Sequence, residues 1–263
     1  MTIYNRSKLM NRSLPTVYKQ LNQDDEIIVV DDGSDDMSAK EVVKAHKEFF
    51  PNIHYYRREK KGYNNGAIPK NIALQKAKNE LLVISDPEVI HYTDCIKQMI
   101  KLHEKTDKLF VVASKMYSTH EDFQKLVDKK DINLIDYVKY EFKESVIVDN
   151  IHYDIEGNIH YLPDCIAPFI GSAKREYMMA IGGWDERFDK YWGHDDTDLV
   201  TRLSLYGIQQ VKHNEIIGIH QYHGRPTQSS MVGVDTHNLK IVQGRLKNNE
   251  IVANKRRKWG VLK

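Results

Sequence analysis

The residues of this chain that could do chemistry are mostly carboxylates at short spacings. Asp86-Pro87-Glu88 offers two acids two positions apart, just after the apolar run Leu81–Ile84. Such a pair suits a hard divalent cation, Mg2+ or Mn2+, whose other positions go to water and phosphate oxygens; it equally fits a solvated acidic turn. Asp31-Asp32-Gly33-Ser34 follows a second apolar run, Ile27–Val30. One carboxylate there can accept the ring N–H of a pyrimidine and the other can meet a ribose hydroxyl, with a helix cap as the plain alternative. The densest segment runs from Gly182-Gly183-Trp184-Asp185-Glu186 to Trp192-Gly193-His194-Asp195-Asp196-Thr197-Asp198-Leu199. Asp195 and Asp196 fall at the start of a predicted amphipathic helix, where the helix dipole favours negative charge. A carboxylate fixed there beside aromatic rings is a candidate general base for a substrate hydroxyl, and one of the three acids is expected to cap the helix. His220-Gln221-Tyr222-His223 places two histidines three apart, suited to a metal, a phosphate or a structural role.

The elements that must position these groups alternate. Met10, Leu14, Val17 and Leu21 mark one helical face, which Pro15 should shorten or kink. The runs Ile27–Val30 and Leu81–Ile84 are continuously apolar, as in strands covered on both faces. Ser34 and the acids after it should cap a helix carrying Val42, Val43, His46 and Phe50. Ile53–Tyr56 reads as a strand, 66–78 and 93–105 as helices, and Leu109–Ala113 as a strand. Strand and helix in alternation imply a parallel sheet with right-handed crossovers. Ligands of such sheets bind beyond the carboxyl ends of the strands, where both acid clusters lie. Residues 151–154 and 159–162 flank Gly157-Asn158 as a hairpin would. The expected organisation is one domain with an inserted or appended lobe: an alternating half (1–117), a half of different character (118–225) and a polar, basic extension (226–263).

With Lys+Arg 39 against Asp+Glu 37 in 263 residues, the balance of +2 argues against a chain that lives on nucleic-acid phosphates. No apolar run approaches the roughly 18 residues of a membrane span, and the start lacks the pattern of a secretory signal. Cys95 and Cys165 are too few for a disulfide framework or a thiolate zinc site. The expectation is a soluble, cytoplasmic protein. Lys255-Arg256-Arg257-Lys258-Trp259 reads as a solvated tail, with weak contact to an anionic membrane surface as the alternative.

Taken together, the motifs resemble the family-2 glycosyltransferases of GT-A fold, in the branch with a galactosyltransferase-type C-terminal half that includes chondroitin-polymerase-like domains. The resemblance is carried in family order by Thr2-x-Tyr4-Asn5-Arg6, Val30-Asp31-Asp32-Gly33-Ser34, Gly66 to Asn71, Asp86-x-Glu88, Gly182-Gly183-Trp184-Asp185-Glu186, Trp192-Gly193-x-Asp195-Asp196-x-Asp198-Leu199 and His220-Gln221. It implies an α/β GT-A fold with a mostly parallel central sheet and an acceptor-side lobe. It also implies transfer of a sugar from a nucleotide diphosphate sugar, a UDP-sugar, to an acceptor hydroxyl of a glycan or other molecule. Thr2, Tyr4, Arg6, Asp31 and Asp32 would then serve the nucleotide, Thr2 and Asp32 at the uracil. Asp86 and Glu88 would bind the ribose and a divalent metal, Mn2+ or Mg2+, with His220 or His223 completing the metal shell. Lys70 would meet the diphosphate. Asp195 and Asp196 would be the catalytic pair, Asp196 the base of an inverting transfer, with Trp192 and Gly193 at the sugar and acceptor.

The chain departs from the family pattern at Glu88 (usually Asp), Asp195 (usually Glu) and Lys70 (usually Arg), and an ammonium cannot bind a diphosphate in the bidentate way of a guanidinium. The family's first strand precedes the Thr-x-Tyr-Asn turn, so with Met1-Thr2 at the start the expectation is that this strand is absent or that the start codon lies further upstream than given. These departures suit the alternative of a catalytically silent module that binds a sugar nucleotide or glycan.

Overall fold

The computed structural model describes residues 1–35, 37–59, 66–106, 108–129, 160–161, 169–191, 193–224 and 237–262. In chain order the elements are β1 (Thr2–Ile3), α1 (Ser7–Tyr18), β2 (Ile27–Asp31), α2 (Ser38–His46), β3 (Ile53–Arg57), α3 (Ala67–Lys76), β4 (Leu81–Ser85), β5 (Val89–His91), α4 (Cys95–Lys105), β6 (Leu109–Ser118) and α5 (Glu121–Asp128). Then follow β7 (His160–Tyr161), β8 (Ile170–Lys174), α6 (Arg175–Ala180), a 3-10 turn (Glu186–Lys190), α7 (Asp195–Leu205), β9 (Gln209–His220) and α8 (Leu239–Asn248).

The apolar run of β2 is buried as its composition requires, with Val29 and Val30 fully enclosed. It lies at the centre of a parallel three-stranded sheet, β1-β2-β3, in which Val30 is level with both Thr2 and Tyr56. Met10, Leu14 and Val17 face this sheet, and α1 runs on past Pro15 to Tyr18. The second sheet has the order β4-β8-β6-β9-β5, with β7 on β9. It is mixed: β6 and β9 run parallel, whereas β8 lies antiparallel between β4 and β6. Strand–helix alternation in the first half could not foretell this, because β8 comes from the second half and its Ile-Gly-Ser-Ala-Lys sequence lacks the β-branched run that marks a strand.

Three expectations change. Ser34 does not cap α2, whose N-cap is Met37 with no side-chain bond; Ser34 Oγ instead accepts from Asn5 N at 3.0 Å. None of the acids caps α7 either, since the N-cap is His194 at φ 63° and Asp195, Asp196 and Asp198 all lie inside the first turn. The C-terminal segment is no solvated tail. Ala253 N donates to Ile181 O, Asn254 Nδ2 to the carbonyls of Gly182 and Trp184, and Gly260 N to Glu186 Oε1. Trp259 packs on the core around Phe110, Leu199 and Leu203. The Gly182-Gly183-Trp184 turn leaves backbone carbonyls without partners in its own element, and this segment supplies them. Lys255, Arg256, Arg257 and Lys258 still face solvent.

Cys95 is fully buried, its Sγ 3.3 Å from Ile217 O. Cys165 and all of the 151–162 hairpin except His160–Tyr161 lie outside the described residues. β1, Thr2–Ile3, lies within the Thr-x-Tyr-Asn motif and not ahead of it. Leu81, Leu82, Val83 and Ile84 of β4 are only partly buried, although their run predicts a strand covered on both faces.

Candidate active site

The site forms where the ends of β1, β2 and β4 meet the start of α7. After β2 the chain turns at Asp31, which is wholly buried. Its carboxylate accepts from Ser34 N (2.8 Å), Tyr55 OH (2.6 Å) and Arg57 Nη1 (2.9 Å), so both oxygens hold the turn together. Asp32 is paired to the buried Arg58, which also reaches Asp189 Oδ2 at 3.3 Å. On the facing turn Asn5, at φ 52°, donates from Nδ2 to Asp35 at 2.6 Å and accepts from Asp35 N at 2.9 Å. Tyr4 reaches the same Asp35 at 3.5 Å. The Thr-x-Tyr-Asn turn and the Asp-Asp-Gly-Ser turn are therefore one hydrogen-bonded unit.

The Asp86-Pro87-Glu88 turn is fixed by its backbone. Ser13 Oγ donates to Pro87 O at 2.7 Å, and the buried Gln221 donates from Nε2 to Leu9 O and Glu88 O, each at 3.1 Å. Gln221 thus ties the histidine segment to the acidic turn. Glu88 Oε1 lies 3.1 Å from His223 Nε2 and 3.7 Å from His220 Nε2. Among the described residues, these three side chains form the cluster that could hold a metal, with ligand atoms all within 4.8 Å of one another. One carboxylate oxygen with two imidazole nitrogens suits Mn2+ better than Mg2+, which prefers oxygen throughout. Burial alone would raise the Glu88 carboxyl, but the His223 bond and the two nearby imidazoles outweigh it and hold it below the usual range. Burial lowers His220 against the opposing pull of Glu88, which favours the neutral ring that a ligand requires. His223 Nδ1 lies 2.9 Å from Arg6 Nη2, joining Arg6 to this cluster.

Asp86 is not one of that cluster. Its carboxyl is pushed well up, first by burial and then by Glu88 and Asp196, against the opposing charge of Lys70. Lys70 Nζ, brought in by α3, lies 2.8 Å from Asp195 Oδ2 and 3.2 Å from Asp196 Oδ1, and 5.7 Å from the centre of the Trp184 ring. Burial would lower the Lys70 ammonium, but Asp195, Asp196 and Asp86 hold it far above its ordinary range. The Asp196 carboxyl is raised by burial and by Asp195, in spite of Lys70. A partly buried carboxylate with a raised pKa at a helix start can take a proton from a hydroxyl.

The structure therefore gathers Thr2, Lys70, Asp86, Asp195 and Asp196 on one side and Arg6, Glu88, His220 and His223 on the other. Gly193 is nearby, its carbonyl accepting from Asn238 Nδ2 at 2.7 Å; Trp192 lies outside the described residues. Asp198 is structural, paired at 2.7 Å with the buried Arg202 and also with Arg245. Sequence reasoning missed the supports. Asn71 exchanges two 2.8 Å bonds with the backbone of Trp184, fastening α3 and Lys70 to the double-glycine turn. Arg58 and Asp189 lie 131 residues apart, so no local pattern announces the pair.

Residues 1–161 match the model of Glycosyl transferase family 2. The chain is 25% identical over 253 residues to the uncharacterized glycosyltransferase YfnE of Bacillus subtilis, covering 83% of this chain and 62% of that protein. It is 26% identical over 242 residues to the chondroitin synthase of Escherichia coli, covering 85% of this chain and 34% of the synthase. Among solved structures it is similar to the mannosyltransferase PcManGT from Pyrobaculum calidifontis in complex with GDP-Man and Mn2+ (TM-score 0.58, 18% identity, 93% of this chain and 59% of that one). It is likewise similar to S. aureus TarS 1–349 in complex with UDP-GlcNAc (TM-score 0.61, 13% identity, 87% and 59%). The structural likenesses establish the fold, GT-A. The chain spans less than two-thirds of each of these proteins.

Proposed function

Because the chain belongs to glycosyl transferase family 2, we propose that it moves a sugar from a UDP-sugar to an acceptor hydroxyl with inversion at the anomeric carbon. The observation that carries this reading is the gathering of Asp86, Asp195 and Asp196 around Lys70, next to the Glu88–His220–His223 cluster. Asp196 takes the proton of the acceptor hydroxyl as its oxygen attacks the anomeric carbon. The bond to the diphosphate breaks on the opposite side, and the nucleoside diphosphate leaves. Asp195 holds Lys70 in place. Lys70 turns toward the diphosphate when the donor is bound, exchanging carboxylate partners for phosphate ones. Asp86 meets the ribose.

Thr2 and Asp32 border the uracil. Asp31 acts by shaping the turn, and Tyr4 and Asn5 by closing it against Asp35. Glu88 and His220 would hold Mn2+ or Mg2+, with His223 as third ligand or as the Arg6-linked support of Glu88. Bound there, the ion would act as a Lewis acid toward the charge that develops on the leaving diphosphate. Trp192 and Gly193 are assigned to the sugar and acceptor. The complexes of PcManGT with GDP-Man and Mn2+ and of TarS with UDP-GlcNAc support both a nucleotide-sugar donor and a metal.

Thermal shift with UDP-, GDP- and dTDP-sugars, each with and without Mn2+, tests the donor assignment: stabilisation by UDP-sugars with Mn2+ is expected, and a shift confined to another nucleotide overturns it. Slow metal-dependent hydrolysis of the UDP-sugar separates a transferase from a silent binding module, which would bind and release it intact.

A further inference from the structure

The turn that delivers Asp195 and Asp196 to Lys70 has a backbone its own residues do not favour. Gly193 stands at φ 90° and His194 at φ 63°, two left-handed residues in succession. Glycine accepts this conformation freely, whereas a residue with a Cβ adopts it only at a cost. Such a residue persists where its surroundings over-determine it. His194 makes no side-chain capping bond to α7, so the hold on the turn comes from elsewhere.

It comes from the residue that precedes α8. Asn238 is wholly buried and donates from Nδ2 to Tyr191 O at 3.1 Å and to Gly193 O at 2.7 Å. An amide nitrogen carries two N–H groups, so one side chain clamps two carbonyls of the same turn. Asparagine beside a helix start ordinarily bonds to its own helix; Asn238 makes no such bond to α8. Its neighbour His237 lies with its ring 5.1 Å from that of Tyr191. Arg245, buried in α8, pairs with Asp198 in the first turn of α7 and with Asp185. The segment from Asn238 to Arg245 therefore holds both the entry to α7 and its first turn.

We propose that Asn238 is a positioning residue for sugar transfer: by clamping the Tyr191 and Gly193 carbonyls it keeps the Gly193-His194 turn left-handed and holds Asp195 and Asp196 at Lys70. Its effect on rate rests on the transfer reading; the clamp itself does not. Without the two bonds the turn relaxes toward ordinary φ, and the carboxylates one and two residues beyond His194 move with it. A misplacement of about 1 Å is enough to cost about 10²-fold in rate. Nucleoside binding does not follow, because Thr2, Asp32 and Asp86 are held by β1, β2 and β4 rather than by this turn.

The test uses Asn238→Leu and Asn238→Ala in the full chain; both remove the donors, one with and one without the side-chain bulk, so whichever folds decides. The kcat for hydrolysis of the UDP-sugar that most stabilises the wild type, with Mn2+, should fall by about 10²-fold, while UDP affinity by calorimetry stays at the wild-type level. Wild-type kcat in a folded variant, or a loss that UDP affinity shares, overturns the assignment. Crystal structures of the wild type and the variant read the clamp without turnover. In the variant Gly193 and His194 should leave the left-handed region and Lys70 Nζ should leave hydrogen-bond reach of Asp195 and Asp196; an unaltered turn overturns the clamp. A wild type that neither binds nor hydrolyses a UDP-sugar defeats the transfer reading instead, and the crystal structures still decide the clamp, so the two failures are distinguishable.

Discussion

Lys70 and Asp196 meet at 3.2 Å, Nζ to Oδ1, although 126 positions separate them in sequence. The contact puts a positive charge beside the proposed base, where it opposes the upward push of burial and of Asp195 on that carboxyl. In Lys70→Met this opposing influence is gone and the Asp196 carboxyl moves further up. The acid limb of the transfer rate against pH should then shift to higher pH. Rates measured across pH with a UDP-sugar check this, and an unmoved limb would mean that another group titrates.

Asp196→Asn keeps the shape of the side chain and loses its basicity. Transfer should fall by about 10²–10⁴-fold, the usual worth of a positioned base, while UDP affinity by calorimetry stays at the wild-type level. A variant with wild-type turnover would remove Asp196 from the mechanism.

The metal assignment predicts that Glu88→Gln and His220→Ala each weaken Mn2+ binding by at least about tenfold, since each removes a ligand or its charge. Titration of the protein alone with Mn2+ measures this without reference to turnover. Arg256→Ala, on the exposed C-terminal segment, is the control and should bind as wild type.

Gly183 adopts φ 65°, and a Cβ there would lie 2.4 Å from Asn71 Oδ1 and 2.9 Å from the Trp259 ring. Gly183→Ala should cost about 2 kcal/mol or more in urea unfolding, combining backbone strain with displacement of the Asn71 clasp. Gly207, at φ 89° with nothing within 4 Å of a Cβ, provides the comparison. Its alanine variant should carry the backbone term alone, about 1 kcal/mol.

His91 is buried, with Nε2 3.0 Å from Ser85 Oγ, and burial lowers its pKa from 6.5 to about 4. The unfolded chain therefore binds a proton that the folded chain refuses between those values. Stability from this group is complete above pH 6.5 and is lost as pH falls toward 4, by about 3 kcal/mol in all. Thermal unfolding from pH 7 to pH 4 should show a smaller acid loss for His91→Gln than for the wild type.

Much of the chemistry was legible as local spacing. An apolar run ending in acids defines a strand and what lies at its carboxyl end, which is why Asp32, Asp86 and Glu88 could be named before the fold. The start of α7 could be read from Asp195-Asp196 followed by Leu199 and Leu203, because helical periodicity is a property of neighbouring residues. The two histidines were legible as a pair, though which one serves a metal was not.

What only the tertiary structure decided are relationships between distant segments. Asp31 and Asp32 look alike in sequence, yet one is consumed by Ser34, Tyr55 and Arg57 while the other is shared with Arg58. The antiparallel entry of β8, the docking of the C-terminal segment on the double-glycine turn, and the split between the sheets beside β4 all arise from packing and backbone pairing across the chain. Sequence determines which surfaces must be buried and which groups need partners. The identity of each partner is settled only when the whole chain competes for the same buried space.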